Sequence, residues 1–176
     1  MSNTTTENTT TENTTLGTFD DRGAACATAN NHNRTIMLAM LKRMGIARVR
    51  IGFDGGGDSG QVDSIICDGI ITDPMEHQIE DVLLATVNTR FDNARSWDYE
   101  VELKRMRGDV NGPMTLHKVI EEWAYELLDG VEHDWVNNEG GYGEITVTPT
   151  PPEGEEEIAI DLSIRVTNVE RYYITT

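Results

Sequence analysis

The chain has 176 residues, 31 of them acidic and 14 basic, for a net charge of −17 at pH 7. That length suits one domain plus a tail, and no run approaches the ~20 consecutive apolar residues of a membrane-spanning helix. No basic stripe exists to displace counterions from a phosphate backbone, so the composition disfavours direct nucleic-acid binding.

Residues 3–15 repeat Asn-Thr-Thr-Thr-Glu with almost no apolar content. Such a segment cannot offset its own ordering entropy, so residues 1–17 are expected to form a disordered tail ahead of a single domain over 18–176. Asn3, Asn8, Asn13 and Asn33 each begin an Asn-x-Thr sequon. The N-terminus shows neither the basic start nor the apolar run of a signal peptide, so a slipped gene repeat is the simpler account and a cytoplasmic location is expected.

From about Asp20 to Met44 the pattern turns helical. Ile36, Met40 and Met44 recur at helical spacing, with Leu38 and Leu41 widening the face. Lys42 and Arg43 suit the negative end of the helix, and Gly45 is placed to stop it. Residues 46–53 alternate, with Val49, Ile51 and Phe53 facing opposite to Arg48, Arg50 and Gly52. Gln61 to Cys67 reads as a second strand, so the two predict a β-hairpin with a long glycine-rich connection. Residues 76–86 fit either helix or strand. Tyr99 to Met106 alternates as a strand, and residues 109–112 read as a turn. Pro113 to Leu128 carries an apolar face of Leu116, Ile120, Trp123 and Leu127, the clearest helix of the chain. Ile145 to Thr148 is a short strand. Ile158 to Val166 places five apolar residues on one face, and Val169 to Ile174 adds a last short strand. This order predicts an α+β fold, a mainly antiparallel sheet with two main helices packed on one face.

Two segments concentrate glycines with acids and amides. The first is Phe53-Asp54-Gly55-Gly56-Gly57-Asp58-Ser59-Gly60-Gln61; the second runs from Trp135 to Glu144. Gly57-Asp58-Ser59-Gly60 matches the core of the trypsin-type protease signature, but the continuation and the triad partners are missing. Gly55-x-Gly57-x-x-Gly60 matches a dinucleotide fingerprint, but a strand follows where a helix N-terminus should hold pyrophosphate, and Asp54 and Asp58 would repel it. A divalent cation is a better match to Asp54, Asp58, Glu139 and Glu144, because hard cations collect carboxylate oxygens. The plainer reading is a pair of glycine turns with acidic tips, and no cofactor is expected. His77, His117 and His133 show no ligand spacing among themselves, and His133-Asp134 has no nucleophile beside it. Cys26 and Cys67 fit no metal spacing and are expected as buried small hydrophobes without a disulfide.

Only three basic residues are lysines: Lys42, Lys104 and Lys118. Acid excess with scarce lysine points to a surface adapted to high salt, where screening shortens repulsion to a few ångströms. The alternative is a DNA mimic whose carboxylates imitate phosphates.

Taken together, the Asp-Gly-x-Gly-Asp-Ser-Gly-Gln run and the later Trp135-x-Asn137-Asn138-x-Gly-x-Tyr142-Gly143 run gain meaning. The late run follows an Ala-Tyr-x-Leu-Leu helix segment (Ala124 to Leu128) and precedes Asn168-Val-Glu-Arg171-Tyr172. This order resembles a family of small bacterial proteins of unknown function, often carried on mobile elements. The resemblance covers most of residues 28–172, and the threonine tail, the middle segment and the acidic bias depart from it. It implies no activity, only that both segments belong to one surface. The expected function is a non-enzymatic interaction or accessory protein with a protein partner. Its candidate contacts are Asp54, Asp58, Ser59, Trp135, Asn137, Asn138, Glu139 and Tyr142. A divalent-metal module or metal-assisted hydrolase is the second reading, and the oligomeric state is open.

Overall fold

Asp21 accepts a hydrogen bond from the Ala24 amide and starts α1 (Arg22–Arg43), satisfying one of the unpaired donors of the first turn. Gly45, at φ 69, ends it in the left-handed conformation that glycine adopts without strain. The buried stripe of α1 is Ala25, Ala29, Asn33, Met37 and Leu41, spaced four apart, with Leu38 and Met40 beside it. Ile36 and Met44, expected at the centre of the face, are only partly buried at its margin. α2 (Leu116–Asp129) starts at Thr115, whose side chain accepts from the Lys118 amide. Its buried face is the expected one, with Trp123 fully enclosed. The computed structural model describes residues 14–71, 73–91, 97–108, 112–131, 135–138 and 140–165.

The fold is α+β with antiparallel strands, divided between two sheets. The first sheet has the order β1 (Thr14–Phe19), β4 (Trp97–Arg107), β3 (Asp81–Phe91). Thr14 to Gly17, expected in the tail, therefore belong to a paired strand: Thr14 lies opposite Leu103 and Phe19 opposite Tyr99. Cross-strand pairing holds a segment whose composition alone would leave it free. Residues 1–13 of the expected tail lie outside the described residues, as do residues 109–111 of the turn expected at 109–112 and the expected last strand at 169–174. β3 resolves the ambiguous stretch as strand from Asp81 onward.

The second sheet contains β2 (Ile46–Gly69), β5 (Asn137–Asn138), β6 (Gly141–Val147) and β7 (Ile158–Ile164), in the order β5, β2, β6, β7. At 24 residues, β2 would measure ~80 Å if straight, several times the radius of a domain this size. It instead doubles back. The Ile70 amide donates to the Gly45 carbonyl at 3.1 Å, and a Cβ on Gly69 would lie 2.9 Å from the Ala47 nitrogen. A Cβ on Gly52 would lie 2.7 Å from Ser64 Oγ. These approaches place the reversal near Asp58, so the expected hairpin is present, but its long loop is not. Extended backbone continues almost to the tip.

Val49, Ile51 and Phe53 face the main core and lie opposite Val147, Ile145 and Gly143. α1 and α2 share that core with them. The Tyr125 hydroxyl accepts from the Val62 amide at 3.2 Å, which ties the returning arm of the hairpin to α2. A smaller cluster of Ala25, Ala29, Ala85 and Val101 seats the start of α1 on the first sheet. Cys26 and Cys67 are free and buried, and burial pushes the Cys67 thiol up to about 11. No helix among the described residues is long and apolar enough to cross a membrane.

Candidate functional site

The two glycine-rich segments meet. Gly57 pairs with Asn138 and Asp58 with Asn137, so β5 runs along the hairpin tip. Glycine in a strand often marks a place where another group must approach closely, and here that group is the Trp135 indole. A Cβ on Gly55 would lie 2.8 Å from Trp135 Cε3, and one on Gly60 would lie 2.5 Å from Cη2. The same ring meets Phe53 edge to face, with centroids 5.4 Å apart and planes at 80°, a favoured aromatic geometry. The Trp135 carbonyl also accepts from the Gly141 amide at 2.8 Å. Behind it, Gly140 (φ 67) packs on the Gly55–Gly56 backbone, where a Cβ would lie 2.7 Å from the Gly56 Cα.

Trp135 was expected to face a partner. At 7 % exposure it instead wedges the two segments together from within. The glycines were expected in turns and a long connection. Gly55 and Gly60 instead make space in β2 for the indole, and Gly140 makes space for a backbone crossing.

Arg165, just past β7, had no part in the expected site. Its guanidinium pairs with Asp54, donates to the Gly55 carbonyl at 2.6 Å, and lies 5.1 Å from the centroid of the Tyr142 ring. Its own amide donates to the Gly140 carbonyl at 3.0 Å. One side chain therefore clips both glycine segments on the solvent side while Trp135 wedges them on the core side. In sequence it reads only as a polar residue at the end of an alternating strand, which gives no signal of this role.

The remaining expected positions separate clearly. Asp58 and Ser59 are exposed at the tip. Tyr142 is 49 % exposed beneath Arg165. Asn137 and Asn138 are placed by their backbone pairing. Glu139 and His133 lie outside the described residues. Glu144 sits opposite Gly52 on the outer face and accepts from Thr146 Oγ1 at 3.4 Å. Asp63 accepts from Gln61 Nε2 at 2.8 Å. Among the described residues, no group of three or more His, Cys, Asp or Glu side chains is placed to hold a metal ion. His77 and His117 both lie by the start of α2, where the Leu116 amide donates to the His77 carbonyl at 2.8 Å.

A family of unknown function, DUF6878, matches residues 29–175. The chain belongs to this family. No curated protein and no solved structure matches it. The matched span begins inside α1 and takes in the hairpin tip, Trp135 and Arg165, whereas β1 and the Asp21 cap precede it.

Proposed function

We propose that the protein is a non-enzymatic interaction module that presents the β2 hairpin tip and the adjoining Tyr142 face to a protein partner. One observation carries this reading: the tip is braced from behind and unused in front. Trp135, β5 and Arg165 hold the backbone from Asp54 to Gly60, while Asp58 and Ser59 are exposed and their side chains make no bond to any described residue. Presenting polar groups on a pre-ordered backbone lowers the entropy lost on binding. A half-exposed tyrosine beside the tip is a common anchor at interfaces.

A divalent-cation reading draws less support. Asp54, one of its four carboxylates, is already neutralised by Arg165, and a cation would have to displace that pair. A salt-rich cytoplasm and a mobile-element origin would suit the acid excess and the resemblance, and both belong to this proposal.

The test is affinity capture from cells of the source organism, comparing the natural chain with Asp58→Arg and Ser59→Tyr. Both substitutions lie at exposed positions and are expected to leave the circular dichroism spectrum and melting temperature unchanged. Loss of a captured partner from both variants is the expected result. If each variant folds and retains every partner of the natural chain, the reading is wrong.

A further inference from the structure

β3 is an edge strand, and α1 covers only part of its outer rim. Asn33, fully buried in mid-helix, accepts from the Ala85 amide at 2.6 Å and donates to the Ala85 carbonyl at 2.8 Å. His32 Nε2 lies 3.3 Å from the Leu83 carbonyl. The β3–β4 register is regular throughout, and outward-facing residues alternate along an antiparallel edge. Leu83 and Asp81 therefore point their backbone groups outward with Ala85. Among the described residues, the Leu83 amide and both backbone groups of Asp81 have no partner. Pairing resumes before the strand, where the Ile79 amide donates to the Met114 carbonyl at 2.8 Å.

Between this uncovered rim and the C-terminal half of α1 runs a groove of about 620 Å³. Its apolar lining includes Ile79 and the Ile36, Met40 and Met44 series that recurs at helical spacing along α1. Leu83, 38 % exposed, stands at the rim. The groove's two arginines differ: Arg105 is held by Asp81, whereas Arg43 has no ion-pair partner among the described residues.

The geometry points to an extended segment of another protein as the occupant, added as a strand along β3. An unpaired rim is a template for a further strand, and in such additions backbone bonds supply affinity while alternate side chains fill pockets. Here the apolar groove takes the alternate side chains, and Arg43 takes one carboxylate. Glu80 lines the same groove, so the complement is a single acid rather than an acidic tract. A second copy of this chain would bring a further −17 of charge to the contact, which favours a different protein.

The probe is a displayed library of random peptides selected on the full chain. Enriched peptides are expected to alternate apolar residues around one Asp or Glu. Arg43→Glu is expected to weaken them about tenfold or more, and exchanging the peptide acid for lysine is expected to restore binding to that variant. Bound peptide is expected to slow hydrogen exchange at the Leu83 amide. Leu83→Pro removes that donor at an edge position where proline is tolerated and is expected to abolish binding, with melting temperature as the check on folding. An empty selection overturns the inference. So does an affinity indifferent to Arg43→Glu, an unchanged Leu83 amide, or protection at Asp58 instead. The groove and the hairpin tip share no residue, so failure here and failure of the tip reading are separate results.

Discussion

Replacing Gly60 with alanine isolates the wedge that joins the two glycine segments. Gly60 does not occupy the left-handed region, so alanine is acceptable to its backbone. The objection is spatial: the new methyl would stand 2.5 Å from Trp135 Cη2 and 3.1 Å from Val136 Cγ2. The ring has little room to retreat, because Gly55 already crowds the adjoining Cε3 and Phe53 abuts it at 5.4 Å. Overpacking of this kind costs about 1–3 kcal/mol. Restricting the unfolded chain returns roughly 0.4–1 kcal/mol, so a net loss of about 1 kcal/mol is expected. For a chain of this size that lowers the melting temperature by about 2–4 °C. The decisive arm is a double-mutant cycle with Trp135→Leu, which removes the ring edge that Gly60 touches. Gly60→Ala should stabilise by roughly 0.4–1 kcal/mol in that background, giving a coupling of about 2 kcal/mol. Urea denaturation followed by far-ultraviolet circular dichroism measures all four corners without relying on the altered tryptophan. Equal losses with and without the indole would refute the wedge. Gly57→Ala serves as a control: its Cβ would meet nothing within 4 Å, yet φ is 70, so strain of about 1–2 kcal/mol is expected in both backgrounds.

Arg165→Ala removes the clip on the solvent side, and a loss of about 1–2 kcal/mol is expected, with faster hydrogen exchange at Gly141; Arg165→Lys, unable to bond Asp54 and Gly55 in one plane, should recover less than half of it. Asn33→Ala strands the buried amide and carbonyl of Ala85 and is expected to cost about 2–4 kcal/mol in urea denaturation, with no loss if water replaces both bonds freely. Glu126 supplies the pH test. Burial pushes its carboxyl from 4.5 up to about 7, with Asp129 and Glu122 adding repulsion and Lys104 opposing. A raised carboxyl pKa means the folded state holds its proton longer, so stability is lost as pH rises from about 4.5 to about 7. The full rise corresponds to about 3 kcal/mol, and partial solvent contact reduces this to roughly 1–2 kcal/mol. Glu126→Gln should therefore match the natural chain near pH 4 and exceed it by that amount at pH 8, and equal stability at both values would show the carboxyl is not strained.

Local pattern was enough to find both helices, the glycine stop of the first, the first arm of β2, β4 and β7, because a period of 3.6 or 2 and a terminal glycine are written in neighbouring residues. The Asp21 and Thr115 caps emerged only in the structure. The α+β class followed from their order. The glycine segments were legible as special, whether they meet was open, and the structure pairs them. Their form was not legible, since glycine marks turns by propensity and strands only by what crosses above it. Whether Gly55 is a flexible joint or a recess depends on Trp135, and whether Asp54 is a free ligand or half of an ion pair depends on Arg165. The division into two sheets, the pairing of Thr14 to Gly17, and the shift of Ile36 and Met44 from core to groove wall likewise turn on partners distant in sequence. The amino-acid order alone determined both helices, several of the strands and where the unusual backbone lies. Tertiary structure decided which of those residues are spent on holding the fold and which remain exposed, because burial and charge pairing arise only when distant segments share one space.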